Sequence, residues 1–288
     1  MTNDVPGVGT ETAPHPGGQQ AVIDSARRVL ADDHRVLGVW LSGSYGSGSQ
    51  DRFSDVDLWV VVEDEDLPGF CDDWPEIAER IAPTVLCRQL GQAPVFNQIS
   101  ADWVRFDVSI GTPGDVARRT RSTVRALHDP HNLSERLAAP GPALQPDPDR
   151  VASITVEFLR VLGLLPVVIG REEYVVGVSG VELLRGMIIQ LMLQDVAVED
   201  RGGALHLRRL LPADRLQILT ELPATTADQE SVINGNIACV DLFFPLAREL
   251  HDRCGIPWPQ EMQDAARRHL ASTLSFELPV GSATGAAQ

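Results

Sequence analysis

The 288-residue chain contains no lysine, and all 24 of its basic residues are arginine, against 40 acidic residues. Any positive side chain that contacts a phosphate must therefore be arginine, and no lysine can act as a general base or form a Schiff base. No basic stripe runs along either half of the chain, which argues against a nucleic-acid partner. The net charge of −16 indicates a solvated acidic surface, which could also attract a cationic small molecule.

The chain also lacks closely spaced cysteines and a targeting segment. Its four cysteines lie far apart, at Cys71, Cys87, Cys239 and Cys254. This spacing is typical of reduced cysteines in a cytoplasmic protein, not of a zinc site or a disulfide framework. The first 20 residues contain neither the basic region nor the apolar region that a signal peptide requires. The most apolar run, residues 151–170, contains Glu157 and Arg160 and indicates a buried helix, so we expect no membrane partner.

A proline-rich segment separates two regions of different periodicity. Residues 19–138 alternate short apolar strands with helices, residues 139–150 contain four prolines, and residues 151–278 show a helical period throughout. We therefore expect an α+β domain, a linker and an all-helical domain. The small and polar ends, residues 1–18 and 279–288, are predicted to be a disordered leader and tail.

The pattern predicts the individual elements as well. Helices of the first domain are expected at residues 20–33, 72–81 and 112–126. Strands are expected at residues 36–41, 55–62, 84–90, 94–99 and 103–110. Helices of the second domain are expected at residues 151–165, 181–196, 215–222, 229–252 and 259–275. Pro166 should stop the first of these, and Pro245 should kink or split the fourth.

Three aspartates are the candidate functional residues of the first domain. Asp55 and Asp57 follow a small-residue turn that opens with Gly43-Ser44, and they share one face of a strand about 7 Å apart. Asp107 lies on the less apolar face of a later strand. Carboxylates on the inward face of a strand are costly to bury without a partner. Such oxygen groups suit a divalent metal that carries a nucleoside triphosphate.

These motifs resemble the signature of the polymerase-beta-like nucleotidyltransferase superfamily. GSYGSG at residues 43–48 precedes SDVDL at residues 54–58, and a third aspartate follows after about fifty residues. The spacing is similar to that of the branches that modify aminoglycosides or lincosamides, and to that of the antitoxin-like branch. The resemblance covers residues 36–110 and, more loosely, the helical half. It implies a mixed, mostly antiparallel sheet flanked by helices in the first domain.

The resemblance also implies roles for individual residues. Asp55, Asp57 and Asp107 would be catalytic and would hold Mg²⁺, with ATP or another nucleoside triphosphate as co-substrate. Asp107 could also accept the proton of the attacking hydroxyl. The nucleotide would be bound by Gly43, Ser44, Ser54 and Arg52. Arg52 and Arg105 could each contact phosphate or pair with the aspartates.

The helical domain of similar enzymes closes over the nucleotide site and contacts the acceptor. The candidates for that role are Glu157, Glu182 and Arg185, each of which can also be read as purely structural. Some small-molecule members build their site across a dimer, so the resemblance leaves room for a homodimer.

The favoured function is metal-dependent transfer of AMP from ATP to a hydroxyl of a small molecule, with release of pyrophosphate. The expected acceptor is an aminoglycoside or lincosamide, which would make the protein an antibiotic-resistance enzyme. Three alternatives stay open. An antitoxin-like enzyme would add AMP to a protein. The additional helical half of the chain argues against this alternative, because such relatives are often little more than the catalytic domain. A non-catalytic nucleotide-binding protein would not need all three aspartates, and RNA-directed polymerisation would need a basic surface.

Overall fold

The computed structural model describes residues 18–198, 206–274 and 278. The chain divides into two compact units, Met1–Gly141 and Pro142–Gln288. The division falls within the proline-rich segment expected to be a linker. The predicted leader and tail lie outside the described residues, except for Gly18, which begins the first helix.

The first unit is a six-stranded sheet in the order β3-β4-β5-β2-β1-β6. Its strands are β1 (Val36–Leu41), β2 (Val56–Val62), β3 (Thr84–Gln89), β4 (Val95–Ser100), β5 (Arg105–Gly111) and β6 (Arg125–His128). Its helices are α1 (Gly18–Ala31), α2 (Gly43–Ser47) and α3 (Leu67–Ile81). Strands β2 and β5 are parallel, and the other four neighbouring pairs are antiparallel. The predicted α+β fold with a mixed, mostly antiparallel sheet is confirmed.

Both faces of the central strands are buried. The side chains of Val56, Leu58, Val60 and Val62 pack in one core with apolar residues of α1 and α3. On the other face Trp59 packs against Trp40, with ring centroids 4.7 Å apart, inside a second, smaller core. This double burial explains why β1 and β2 read as nearly continuous apolar runs. Alternation along β2 nevertheless assigns each side chain to its face as the sequence predicts.

The predicted helix at residues 112–126 is wrong. Short 3-10 helices occupy Pro113–Arg118 and Arg121–Thr123, and the chain then forms β6 at the edge of the sheet, paired with β1. The β-branched residues Thr123 and Val124 stand at the entry to this strand, where an extended backbone suits them better than a helix. The turn predicted at Gly43-Ser44 is a short helix, α2. The other elements of the first unit differ from prediction mainly at their ends, and α3 begins five residues earlier.

The second unit is helical, as predicted. Its helices are α4 (Pro148–Leu162), α5 (Leu165–Gly170), α6 (Tyr174–Gln194), α7 (Leu207–Leu210), α8 (Ala213–Glu221), α9 (Gln229–Cys254) and α10 (Gln260–Leu274). Helix α4 starts inside the predicted linker because the Asp147 carboxylate accepts hydrogen bonds from the first helical N–H groups and Pro148 suits the first helical position. Helix α6 begins seven residues before the predicted start, and Pro166 lies in the first turn of α5.

Helix α9 runs without a break through Pro245, so the predicted split is wrong, while the predicted kink stays a prediction. An internal proline removes one helical hydrogen bond and costs about 3 kcal/mol. The residues on both sides of it, Phe243, Phe244, Leu246 and Ala247, are buried in the core of the unit. Burial of these side chains outweighs the cost, because unwinding the helix would expose them.

Aromatic stacking joins α4 to α9 in this core. The rings of Phe158 and Phe243 stack with centroids 3.7 Å apart, and Phe244 meets both of them edge-on. The stretch Pro148–Gly170 and helix α6 are long and apolar enough to span a membrane by length and composition alone. Core helices of soluble proteins often share these properties, so the finding is weak evidence for a membrane protein. The absence of a membrane partner stays a prediction.

Phe158→Ala should destabilise the second unit by about 3–5 kcal/mol, because it removes a fully buried ring and leaves a cavity against Phe243. Val156→Ala on the same helix is the matched control. Val156 is 43% exposed, and its loss should change stability by less than about 1 kcal/mol. Urea denaturation followed by helical circular dichroism measures both, and equal losses would contradict this account of the core.

Candidate active site

Helix α2 is held tightly against the start of β2. Gly43 has a φ of +54°, and a Cβ at this position would overlap the Asp57 carboxylate. The backbone N–H of Ser42 donates to the backbone carbonyl of Asp57 at 2.8 Å. A Cβ at Gly46 would likewise collide with the backbone carbonyl of Thr123. Glycine is therefore required at both positions for α2 to lie this close to the sheet.

The Ser44 hydroxyl is a buried polar group without a hydrogen-bond partner among the described residues. The neighbouring hydroxyl of Ser47 is satisfied, since it donates to the backbone carbonyl of Gly43 at 3.0 Å. A buried hydroxyl without a partner costs about 1–3 kcal/mol. Ser44, one residue after the glycine that contacts Asp57, therefore has a polar group that the described protein leaves unsatisfied, and its predicted phosphate contact stays a prediction.

Asp57 and Asp107 lie directly opposite each other on the parallel strands β2 and β5. Asn97 on β4 faces Asp107 across the next strand pair, and its Nδ2 donates to Asp107 Oδ2 at 2.7 Å. Asn97 thus fixes the orientation of the Asp107 carboxylate. The sequence analysis missed this residue because its position follows from the register of the β4–β5 hairpin, which the apolar pattern alone does not specify.

Asp55 stands at the entry to β2 and is paired with Arg105, whose Nη2 lies 3.2 Å from Asp55 Oδ2. Of the two roles considered for Arg105, the structure shows the one in which it pairs with an aspartate. Arg52 stacks over the ring of Phe53, with 4.5 Å from its Cζ to the ring centroid. The Ser54 hydroxyl accepts from the backbone N–H of Asp51 at 2.9 Å. Arg52 and Ser54 thus have local partners, and their predicted nucleotide contacts stay predictions.

Asp57 and Asp107 have perturbed pKa values. Burial, which is the largest cause, and the negative charges of Asp55 and Asp107 together raise the pKa of Asp57 to about 6, while Arg105 opposes them. Burial also raises the pKa of Asp107, and the charge of Asp55 adds to this effect. The hydrogen bond from Asn97 works in the opposite direction. A group of this kind holds negative charge that the protein only partly compensates, which is typical of functional sites.

The donor atoms of this site are carboxylate oxygens, which is the type of ligand that a hard divalent cation prefers. The Asp57 carboxylate accepts no hydrogen bond from the described residues, and oxygen ligands are those that Mg²⁺ prefers. The described part of the chain nevertheless contains no group of three His, Cys, Asp or Glu side chains placed to hold one ion together. Asp55 is turned to Arg105 and Asp107 to Asn97. The predicted three-ligand site is therefore not preformed, and its metal role stays a prediction.

The candidates in the helical unit pair with residues of their own helices. The Glu157 carboxylate accepts two hydrogen bonds from Arg160, both of 2.7 Å. Glu182 accepts one from Arg185 at 2.9 Å, and Arg185 also donates to the backbone carbonyl of Pro223. These contacts agree with the structural reading of each residue, and the predicted contacts to an acceptor stay predictions.

Asp57→Asn should stabilise the folded protein at neutral pH. A carboxyl whose pKa is raised on folding stabilises the protein below its unfolded pKa of 3.8, and this contribution is lost as pH rises through about 6. At pH 7 the variant should therefore be more stable than wild type by about 3 kcal/mol, and below pH 4 the two should be equal. Urea denaturation at a series of pH values tests this. Asp64→Asn, at an exposed carboxyl, is the control, and its stability should equal that of wild type across the same pH series.

One family of known proteins matches part of the first unit. Residues 23–89, which include Gly43, Ser44, Asp55 and Asp57 but not Asp107, match the nucleotidyltransferase domain family. Among solved structures, an aminoglycoside 6-adenyltransferase from Bacillus subtilis matches with 13% identity and a TM-score of 0.40, over 87% of this chain and 95% of that one. A likeness of that size carries no argument about function. No curated protein sequence matches the chain. The family match bears out the predicted recognition and enzyme class for residues 23–89: this stretch of the chain matches a nucleotidyltransferase domain.

Proposed function

We propose that this protein transfers AMP from ATP to a hydroxyl of a small molecule and releases pyrophosphate. The observation that carries the proposal is the contact of Gly43 with Asp57, next to the unpartnered hydroxyl of Ser44 and in register with Asp107. This arrangement joins a close-approach backbone, which suits phosphate oxygens, to carboxylates that suit the cation of a nucleotide.

The roles follow from the positions of the side chains. Asp57 and Asp107, joined by Asp55, would hold Mg²⁺, which when bound neutralises phosphate charge and orients the triphosphate. Ser44 and the backbone at Gly43 would bind the β- and γ-phosphates. The acceptor oxygen forms a bond to the α-phosphorus as the bond to the β-phosphate bridging oxygen breaks.

Asp107 would take the proton of the acceptor hydroxyl. Asn97 donates to its Oδ2 and thereby fixes the orientation of the carboxylate. The pKa of Asp107 is raised by burial, and a carboxylate with a raised pKa is a stronger base closer to the working pH.

We further propose a cationic acceptor of the aminoglycoside class, with a lincosamide as the second choice. The net charge of −16 favours approach of a polycation over that of a less charged molecule. A pyrophosphate-release assay with each nucleoside triphosphate against aminoglycosides, lincosamides and common hydroxyl metabolites tests both the donor and the acceptor. Release with a protein acceptor alone would favour the antitoxin-like alternative.

Asp55→Ala and Asp57→Ala should each lower the rate of pyrophosphate release about 100-fold or more, because loss of a ligand should cost at least as much as loss of an outer-shell partner. Both variants should remain folded by circular dichroism. Asp64→Ala removes an exposed carboxylate of the same unit and should retain the wild-type rate. Normal turnover by Asp55→Ala and Asp57→Ala would contradict the mechanism.

Gly43→Ala should abolish most activity, while Gly48→Ala should be much milder. Both glycines have a positive φ, +54° and +72°, so alanine costs about 1–2 kcal/mol of backbone strain at either. A Cβ at Gly48 meets nothing within 4 Å, whereas a Cβ at Gly43 displaces the Asp57 carboxylate. The ratio of the two rates therefore isolates the steric effect, and similar rates would show that the contact with Asp57 is unimportant.

A further inference from the structure

A pocket of about 250 Å³ lies beside Asp55 and within the first unit. Residues from three places line it: the end of the loop before β2, the turn before β5 and the start of α1. Two of its lining residues are Phe53 and Trp103, and both rings are exposed, by 66% and 74%. Among the large apolar side chains that are exposed in the described part of the chain, these two are aromatic and the others are aliphatic.

Trp103 is held in an unfavourable backbone conformation. It has a φ of +62°, in the left-handed region that suits glycine or asparagine and that is rare for a bulky residue. The hairpin turn between β4 and β5 imposes this conformation. The N–H of Trp103 donates to the carbonyl of Ser100 at 2.9 Å, and that of Val104 donates to the Ser100 hydroxyl at 3.0 Å.

The exposed ring of Trp103 does not compensate for this strain by burial. A glycine at this position would relieve the backbone, and the fold of the described residues makes little use of the indole. Strained residues of this kind concentrate at functional sites, where the strained position serves a ligand. The conformation of Trp103 thus points to a partner for its ring.

The surroundings of the pocket limit what that partner is. Phe53 has Arg52 over one face, 4.5 Å from the ring centroid, and its N–H is fixed by the Asp51 carboxylate at 2.8 Å. The pocket is smaller than the roughly 300–1,000 Å³ of sites for whole drug-sized ligands, so it suits one planar ring system of a larger molecule. Gln19 and Asp102 also line it. The amide nitrogen of Gln19 donates to the backbone carbonyls of Arg52 and Ser54, so the amide oxygen of Gln19 and the Asp102 carboxylate offer acceptors for the edge of such a ring.

We propose that this pocket binds the nucleobase of the nucleoside triphosphate, with the base stacked on the Trp103 indole. The inference rests on the proposed function, which places the phosphates at Gly43-Ser44 and Asp57. Asp55 lines the pocket and stands two residues before Asp57, at the entry to β2, so the pocket lies beside the aspartate group. Stacking on an aromatic side chain strengthens binding whichever base is present, because every base has a π-face.

The test compares binding of MgATP with binding of Mg²⁺-tripolyphosphate, which lacks the base and sugar. Trp103→Gly should weaken MgATP binding about tenfold or more and leave tripolyphosphate binding unchanged, as measured by isothermal titration calorimetry. The melting temperature of this variant should equal or exceed that of wild type, because glycine relieves the positive φ. Trp103→Asn, which also tolerates this conformation, provides the same measurement if the glycine variant folds poorly.

Two controls separate stacking from other effects. Trp103→Phe keeps an aromatic ring on the same backbone and should bind MgATP within about threefold of wild type. Val85→Ser removes an exposed apolar side chain on β3, outside the pocket, and should bind both ligands as wild type does.

The outcomes distinguish the two proposals. Unchanged MgATP binding by Trp103→Gly, or an equal loss for MgATP and tripolyphosphate, would overturn the nucleobase site and leave the proposed function standing. If wild type binds neither ligand and releases no pyrophosphate from any nucleoside triphosphate, the proposed function fails and the nucleobase site fails with it.

Discussion

The candidate site depends on the parallel pairing of β2 with β5. In this register Asp57 lies opposite Asp107, and the same register sets Val56, Leu58 and Val60 of β2 opposite Phe106, Val108 and Ile110 of β5 in the core beneath α1 and α3. A slip of one residue would carry the whole apolar set of one strand to the other face. Burial of that set therefore fixes the register, and the register places the two carboxylates side by side.

Placing these carboxylates together works against stability. Arg105 partly neutralises Asp55 and Asn97 binds Asp107, but Asp57 remains without a hydrogen-bond partner among the described residues and its pKa is raised. The unpartnered hydroxyl of Ser44 adds a second cost beside it. Local rules of stability are usually broken where a ligand restores what is missing. Ser44 and Asp57, the least satisfied polar groups described in the first unit, thus lie within the stretch that matches a nucleotidyltransferase domain.

The sequence was sufficient to predict the parts of the site that depend on periodicity. Alternation along β2 and β5 assigned Asp57 and Asp107 to the same kind of face, and the GSYGSG motif located the close approach of α2. The failures depend on long-range contacts. Residues 112–126 form an edge strand because β1 offers them partners, and α9 passes through Pro245 because its neighbours are buried. Asn97 and Trp103 owe their positions to the geometry of one hairpin, which no single residue pattern encodes.

The absence of lysine has its clearest consequence in the electrostatics of the site. Three arginines of the first unit lie near the aspartate face, and each has a protein partner: Arg105 pairs with Asp55, Arg52 stacks on Phe53, and Arg119 stacks on Trp59 and donates to Ser109. Each of these guanidinium groups would have to give up one of these contacts in order to bind a triphosphate. A polyanion approaching three carboxylates is repelled unless a cation arrives with it. Under the proposed function, binding of the nucleotide and of the divalent cation would therefore be thermodynamically coupled, each raising the affinity for the other by the same factor.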